Sequence, residues 1–239
     1  SVDKIIFITK WVKKKFFEGL PSLSDNKTQI IYHSIDPFKK KIKKNKQIIF
    51  VGKLNESKGY DLYCKAMFKI LDSNKDWNAY SIGEEKRFQN FPTHSRHKSL
   101  GQISHSKVLE YLGKSEIAII PSRWEEPFGR TAMEASSRGC ATIISKKGGL
   151  PETTDHAIKL KKLDVKNIEN ETINLIINKN LRKKIQINSQ KYIKHNLKIN
   201  SKVIDLMRSS LFPFKNININ RGKLRILNIY NIAQKLNHR

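Results

Sequence analysis

The segment from Pro121 to Ala135 carries the residues of this sequence best suited to bind a sugar or a phosphate. It reads Pro-Ser-Arg-Trp-Glu-Glu-Pro-Phe-Gly-Arg-Thr-Ala-Met-Glu-Ala, and it leads from a buried strand pattern into a helical one. Glu126 lies in the loop before the predicted helix, and Glu134 lies about one turn into that helix. Both carboxylates can therefore flank one bound molecule, and paired acceptors of this kind suit the hydroxyl groups of a sugar and a ribose.

The start of the same predicted helix is suited to an anion. Gly129 lets a ligand approach the main chain closely, because it has no Cβ atom. The first N–H groups of the helix, near Arg130 to Ala132, point outward together with the positive end of the helix dipole. We therefore expect a negatively charged group of the ligand at this point.

Two further loops follow predicted parallel strands, and such loops meet at the carboxyl edge of the sheet, where ligands bind. The loop from Gly52 to Gly59 places Lys53 and Lys58 at this edge, where two ammonium groups neutralise a diphosphate. The loop 146–152 follows the next strand and closes the pocket with a pair of glycines, Gly148 and Gly149. The sequence thus predicts three loops that converge on one anionic ligand.

The surrounding sequence predicts an α/β fold with a Rossmann-like, doubly wound parallel sheet, because short β-branched segments alternate with helical patterns. A first βαβ series is predicted at 4–9, 11–17 and 28–32. The second series has strands at 47–51, 77–82, 98–100, 116–121, 141–145 and 157–160. Its helices are predicted at 62–70, 104–114, 130–138, near Leu150, at 168–176 and at 181–192.

These patterns divide the chain into four parts. Residues 1–36 are interpreted as the tail of an earlier Rossmann-like domain, and 37–46 as a basic, solvated linker. Residues 47–212 form the main domain. The tail at 213–239 either begins a further α/β unit or adds a strand to the first domain.

From Phe7 to Leu211 the chain resembles the retaining glycosyltransferases of family 4, also called glycosyl transferases group 1, which have the GT-B fold. The Glu-x7-Glu spacing is weak by itself but specific within Glu-Pro-Phe-Gly between a strand and a helix. The segment Ile31–Asp36 is also similar to the interdomain segment of that family. The matching motifs follow the family's order: Phe50-Val-Gly-Lys-Leu54, Lys58-Gly59, Ile82-Gly-Glu84, Pro121-Ser122, Glu126-Pro-Phe-Gly129 with Glu134, and Gly148-Gly149 with Glu152.

The resemblance implies that the main domain is the C-terminal half of a GT-B enzyme and binds a nucleotide-sugar donor. By this resemblance Lys53 and Lys58 hold the diphosphate, Glu134 binds the ribose, and Glu126 holds the transferred sugar. In the family Lys53 is often Arg, which can grip a phosphate with two hydrogen bonds. The implied donor site comprises Gly52, Lys53, Lys58, Glu126, Phe128, Gly129, Arg130, Thr131 and Glu134, with Glu126, Lys53 and Lys58 acting in catalysis.

The reaction implied by the family is sugar transfer with retention at the anomeric carbon, without a metal or another cofactor. Fixed Lys53 and Lys58 suit it, because they stabilise the leaving diphosphate most when its charge is largest. The expected acceptor is a glycan or a lipid-linked glycan in cell-envelope polysaccharide or lipopolysaccharide biosynthesis. Acceptor-side groups belong mainly to the N-terminal domain, so this chain is expected to bind donor and to catalyse poorly by itself.

The chain's formal net charge of +26 leaves alternatives open. Such a charge attracts nucleic acid, anionic lipid or phosphorylated substrates, but an AT-rich genome also encodes many Lys, Asn and Ile residues without selection for binding. Trp11 to Phe17 interleaves aromatic and basic side chains, which suits either contact with an anionic membrane or an ordinary helix with Trp11 and Phe16 packed inward. A truncated donor-binding module without activity is a further alternative.

Other patterns narrow the class of protein. No helix-turn-helix, zinc-finger or RNP pattern is found, so no nucleic-acid partner is expected. The seven His residues, with Cys64 and Cys140, lack metal-ligand spacing, so we predict no metal site. No apolar stretch approaches the ~20 residues of a membrane span, and no signal peptide is recognised. We expect a soluble protein of the cytoplasm, at most peripheral at the inner face of the cytoplasmic membrane.

Overall fold

The computed structural model of the chain describes residues 4–20, 27–35, 42–87 and 90–196. The chain divides into two units, Ser1–Ile204 and Asp205–Arg239, and all described residues belong to the first. The predicted tail at 213–239 and the first part of the predicted linker therefore lie outside the described residues.

The first βαβ series forms as the sequence predicts. Strand β1 spans Ile5–Phe7, helix α1 spans Lys10–Gly19, and strand β2 spans Thr28–Ile30. The two strands pair in parallel, so α1 is the crossover between them. Thr9 begins the helix, because its side chain accepts a hydrogen bond from the main-chain N–H of Val12.

The second series contains six strands, which form one sheet, and five helices. Short 3-10 helices span Glu56–Lys58 and Leu150–Glu152. The strands are β3 Asn45–Val51, β4 Asn78–Ile82, β5 His97–Ser99, β6 Ser115–Ile120, β7 Ala141–Ile144 and β8 Ile158–Lys159. The helices are α2 Tyr60–Ser73, α3 His105–Lys114, α4 Arg130–Ser137, α5 Val165–Ile177 and α6 Lys179–Asn196.

Strand β3 begins earlier than the sequence pattern indicates. Its first residue is Asn45, which lies in register with Ser115 of β6. The last two residues predicted as linker therefore belong to the strand. Pairing with a neighbouring strand extends β3 past the apolar residues that mark it in the sequence.

All six strands are parallel, in the order β5-β4-β3-β6-β7-β8. The chain builds the sheet outward from β3 through β4 to β5, and then crosses to β6 and builds outward on the other side. The strand order therefore reverses between β3 and β6, and ligands bind to open α/β sheets at the carboxyl end of such a switch point. The predicted doubly wound, Rossmann-like fold is confirmed.

Both faces of the sheet are buried, as a doubly wound sheet requires. Ile48 and Phe50 of β3 belong to a core cluster with α2, α5 and α6, whereas Ile49 belongs to a cluster with α3 and α4. The same alternation separates Ile117 from Ala118 in β6. Because successive side chains of a strand point to opposite faces, the continuous apolar runs of these strands fill two cores at once.

A half-buried ammonium group connects three segments at the amino-terminal edge of this sheet. Lys44 Nζ donates to three main-chain carbonyls, those of Leu112, Ser115 and Arg138, at 3.3, 2.7 and 2.8 Å. These carbonyls lie where α3 ends, β6 begins and α4 ends. Burial holds the pKa of Lys44 below its ordinary value. Lys44 therefore gives a charged donor to three carbonyls at the ends of these elements, two of which also accept from the thiol of Cys140.

Within the described ranges, no helix combines the length and apolar character needed to cross a membrane.

Candidate functional site

A cavity of about 310 Å³ opens at the switch point of the sheet, at the carboxyl ends of β3 and β6. Most of its wall comes from the ends of these two strands, the loops that follow them and the start of α4. The lining residues are Ile8, His33, Phe50, Val51, Gly52, Lys58, Ile120, Ser122, Glu126, Pro127, Phe128, Gly129, Arg130 and Thr131.

An ion pair lies inside this cavity. Lys58 Nζ is 2.6 Å from Glu126 Oε1, and the two side chains retain 28% and 18% of their exposure. The hydroxyl group of Ser122 donates to the same carboxylate oxygen at 3.1 Å. A cation, a carboxylate and a hydroxyl group thus face one space, a combination that can hold both a phosphate and sugar hydroxyl groups.

Local geometry brings Lys58 and Glu126 together although 68 positions separate them. Lys58 ends a 3-10 helix whose first turn is capped by the side chain of Asn55. Gly59 follows with a φ of +73°, and a Cβ atom there would lie 2.0 Å from the carbonyl oxygen of Pro121. Because glycine alone fits this close approach, the loop after β3 can press against the loop after β6.

A buried carboxylate braces the same two loops. Arg123 makes two hydrogen bonds to Asp61, at 2.5 and 2.7 Å, and the main-chain N–H groups of Arg123 and Trp124 both donate to Ser57 at 2.9 Å. Burial by itself raises the pKa of the Asp61 carboxyl, but the hydrogen bond and the charge of Arg123 outweigh it and hold the pKa below its ordinary value. The brace therefore stays charged at neutral pH.

The start of α4 forms another wall of the cavity. Gly129 has a φ of +100°, and a Cβ atom there would lie 2.4 Å from Leu150 Cδ1. Having no side chain, Gly129 leaves the first N–H groups of α4, those of Arg130 and Thr131, without a side-chain cap. Phe128 is 2% exposed and packs against Met133, so only its main chain is offered to a ligand.

Glu134 lies near the cavity without lining it. It is 7% exposed, and its Oε1 atom lies 3.1 Å from His105 Nε2 and 3.6 Å from the Arg130 guanidinium. His105 is the first residue of α3, and sequence reasoning missed its contact with Glu134. The one available signal was its position at the start of a predicted helix.

Lys53 lines a second cavity, of about 460 Å³, and not the first. Gly52 borders both cavities. Gly83 has a φ of +138°, and a Cβ atom there would lie 1.9 Å from the carbonyl oxygen of Gly52, so the loops after β3 and β4 touch at this point. The remaining lining residues are Gly83, Glu84, Glu85, Lys86, Arg87 and Gln102. Lys53 and Lys58 thus lie on neighbouring cavities that meet at Gly52.

The loop with Gly148 and Gly149 supports the site from behind. Gly149 N–H donates to the carbonyl oxygen of Glu126 at 2.6 Å, and a Cβ atom on Gly148 would lie 2.3 Å from that same oxygen. Glu152, in contrast, points away from the cavity and contacts α1 and Tyr32. The glycines therefore hold the loop of Glu126 in place, whereas Glu152 serves another contact.

The first βαβ series contributes two lining residues that sequence reasoning missed, Ile8 and His33. The His33 ring lies edge-on to the Phe128 ring, at 5.0 Å between centroids. Burial, and after it the charge of Arg130, lower the pKa of His33. A neutral imidazole at this wall can both donate and accept a hydrogen bond.

Among the side chains that the structure describes, no group of three or more His, Cys, Asp or Glu residues is placed to hold a metal ion.

Comparison with known proteins places this chain in a family. The family model described as Glycosyl transferases group 1 matches residues 33–192. A curated relative, an uncharacterized 42.6 kDa protein in the cps region of Klebsiella pneumoniae, is 26% identical over 156 residues, which are 64% of this chain and 40% of that protein. The chain spans less than half the length of the curated relatives it matches.

Solved structures agree on the fold. Alr3699/HepE of Anabaena, in complex with UDP-glucose, has a TM-score of 0.72 and 16% identity over 87% of this chain and 64% of that one. The C-terminal domain of LpcC, a glycosyl transferase group 1 family protein of Francisella tularensis, has a TM-score of 0.59 and 24% identity over 66% of this chain and 89% of that one. Since the family model matches more than half of its residues, the chain belongs to the glycosyl transferases group 1, family 4, and its sheet has the fold of a GT-B C-terminal domain.

Proposed function

We propose that this chain is the donor-binding part of a retaining glycosyltransferase that transfers a sugar from a nucleotide-sugar to a glycan or glycolipid acceptor. The observation that carries the proposal is the ion pair of Lys58 and Glu126, set with Ser122 in one cavity at the switch point of the sheet. A phosphate-binding cation and a sugar-binding carboxylate are thereby offered to one ligand, beside the uncapped start of α4.

The two cavities suggest how an elongated donor lies in the site. The diphosphate sits at Gly52, between Lys58 of the first cavity and Lys53 of the second. The sugar enters the first cavity and meets Glu126. The nucleoside enters the second cavity, whose lining residue Gln102 comes three positions before His105, the partner of Glu134. This direction brings the ribose toward Glu134.

The proposed chemistry is charge stabilisation at the leaving group. As the bond between the anomeric carbon and the diphosphate oxygen breaks, negative charge grows on the diphosphate and positive charge grows on the sugar ring. Lys53, Lys58 and the first N–H groups of α4 stabilise the diphosphate most when its charge is largest, which lowers the barrier. Glu126 positions the sugar hydroxyl groups, and the acceptor hydroxyl group attacks the face that the diphosphate leaves, passing its proton to the departing diphosphate oxygen.

We further propose an acceptor in cell-envelope polysaccharide or lipopolysaccharide biosynthesis. Two facts support this choice: a curated relative lies in the cps region of Klebsiella pneumoniae, and the chain carries a formal net charge of +26. A cationic surface suits an enzyme that works beside anionic lipid at the inner face of a membrane. UDP-glucose is the first donor to test, because the Anabaena structure with this fold contains it.

The test is calorimetric titration of the chain with UDP, GDP, ADP and their sugar conjugates, at moderate salt and with a chelator present. We expect one nucleotide to bind without metal, and Glu134→Ala and Lys58→Ala each to weaken it about tenfold or more, the loss of one hydrogen bond to a charged group. Glu125→Ala and Lys65→Ala are matched controls, because both side chains are exposed.

Two results would contradict the proposal. Equal affinity of the parent chain, Glu134→Ala and Lys58→Ala would show that the pocket lies elsewhere. An attraction to every polyanion that salt abolishes would instead indicate a basic binding protein without a donor site.

A further inference from the structure

The carboxylate of Glu152 joins two parts of the chain that are far apart in sequence. Its Oε2 atom accepts hydrogen bonds from the main-chain N–H of Lys10 and from the hydroxyl group of Tyr32, both at 2.9 Å. Its Oε1 atom accepts from the main-chain N–H of Trp11 at 2.9 Å. One side chain thus receives three donors from the first βαβ series.

These contacts stabilise the start of α1. The first turn of a helix has N–H groups without intrahelical partners and carries the positive end of the helix dipole. Thr9 caps the N–H of Val12, but α1 has no acidic residue in its own first turn. Glu152 supplies the missing carboxylate from another segment. Burial, and after it the hydrogen bond to Glu152, raise the pKa of Tyr32, so its hydroxyl group remains a donor.

The same region is packed against the main chain that carries Glu126. A Cβ atom on Gly149 would lie 2.4 Å from the carbonyl oxygen of Pro127 and 2.7 Å from Thr9 Cγ2, so no larger residue fits between them. The Thr9 hydroxyl group also donates to Pro127 O at 2.8 Å. The start of α1, the glycine loop and the loop of Glu126 therefore form one packed stack.

Glu152 also contacts the segments that carry the part of the cavity wall provided by the first series. Its partners lie close to that wall in sequence: Lys10 and Trp11 come two and three positions after Ile8, and Tyr32 directly precedes His33. When the contacts of Glu152 are lost, the segments that carry both lining residues lose three hydrogen bonds to the glycine loop and keep only the packing and the hydrogen bond of Thr9 to Pro127.

We propose that Glu152 is a positioning residue, which clamps the first βαβ series onto the loop of Glu126 and so fixes the sugar end of the cavity. The proposal rests on the proposed function, since it assigns the cavity to the donor sugar. Glu152 itself need not touch the donor, because its carboxylate is already directed at α1 and Tyr32.

Hydrogen exchange of the unliganded chain tests the clamp. In Glu152→Gln and Glu152→Ala we expect the amides of the first turn of α1 to exchange about tenfold faster or more, because hydrogen bonds to a charged acceptor are lost. Amides of α2, in the main core, should keep their rates. Asp155→Asn removes an exposed carboxylate three positions after Glu152 and should change neither rate. Tyr32→Phe, which removes one of the three donors, should give an intermediate rate.

Titration with the nucleoside diphosphate and with its sugar conjugate then tests positioning. In Glu152→Gln we expect the affinity for the bare diphosphate to stay unchanged, because Lys53 and Lys58 remain in place. The extra affinity that the sugar confers should fall about tenfold, since a small displacement of a positioned group has effects of this size or larger.

The outcomes separate this proposal from the proposed function. Unchanged exchange in both Glu152 variants would overturn the clamp, and faster exchange with an unchanged sugar contribution would overturn its positioning role. A parent chain that binds no donor would overturn the proposed function instead, because the exchange comparison needs no ligand.

Discussion

Glu126→Gln should make the chain bind a bare nucleoside diphosphate more tightly. In the structure Lys58 is paired with Glu126 at 2.6 Å, so an incoming diphosphate must compete with the carboxylate for the ammonium group. Ser122 donates to the same oxygen and holds the carboxylate in that place. The amide of glutamine keeps the shape of the side chain and removes its charge, which leaves Lys58 available to the ligand.

The size of the effect follows from the pair that is broken. A hydrogen bond to a charged group contributes about 1.5–3 kcal/mol, and the glutamine oxygen still accepts a weaker bond from Lys58. The free energy released to the ligand should therefore be near the lower end of this range. Since about 1.4 kcal/mol corresponds to a factor of ten, the affinity for the bare diphosphate should rise about tenfold. The sugar conjugate gains less, because the same change weakens its contact with Glu126. The affinity for the sugar conjugate divided by the affinity for the bare diphosphate should therefore fall.

Calorimetry with both ligands at fixed ionic strength measures this ratio. Glu125→Gln is the matched control, because it removes the same charge from an exposed neighbour and should have little effect. Combining Glu126→Gln with Lys58→Met tests the cause, since without Lys58 the gain should disappear. A Glu126→Gln chain that binds the bare diphosphate no better than the parent would refute the competition between carboxylate and phosphate.

Two further predictions concern stability. Lys44→Met leaves three main-chain carbonyls without their ammonium donor and should lower the free energy of unfolding in urea by about 3 kcal/mol, whereas exposed Lys43→Met should be nearly neutral. Burial, and after it the nearby His94, lower the pKa of His97 from 6.5 to about 4. The unfolded chain therefore takes up this proton at a higher pH than the folded chain, so stability should fall by about 2 kcal/mol from pH 7 to pH 5. His97→Gln should flatten that slope in urea titrations, and an equal slope in both chains would contradict the assignment to His97.

The strands and the core of the site could be predicted from the sequence because their signals are local. Apolar, β-branched runs mark buried parallel strands, and the carboxyl ends of such strands lie at one edge of the sheet. The meeting of Lys58 with Glu126 follows from this rule, as does the position of Gly129 at the start of α4. The extension of β3 back to Asn45 could not be predicted in this way, because its first residues are polar.

The remaining features depend on contacts between distant segments. Lys53 and Lys58 lie on two different cavities because the chain forms a 3-10 helix at Glu56–Lys58. Asn55 caps the start of this helix, and Gly59 ends it. Glu152 faces α1 because that helix, 141 positions away, presents unpaired N–H groups. Neither a spacing nor a composition encodes such an encounter.

The meeting of two cavities at Gly52 has a consequence for engineering. The loop that follows β4 supplies most of the second cavity, whereas half of the residues that line the first lie in the loops after β3 and β6. In the proposed placement of the donor, nucleobase preference and sugar preference are carried by different, exchangeable pieces of chain. Grafting the segment 83–87 from a relative with another nucleotide preference should change the base accepted and keep the sugar. The two preferences can for the same reason diverge independently within the family.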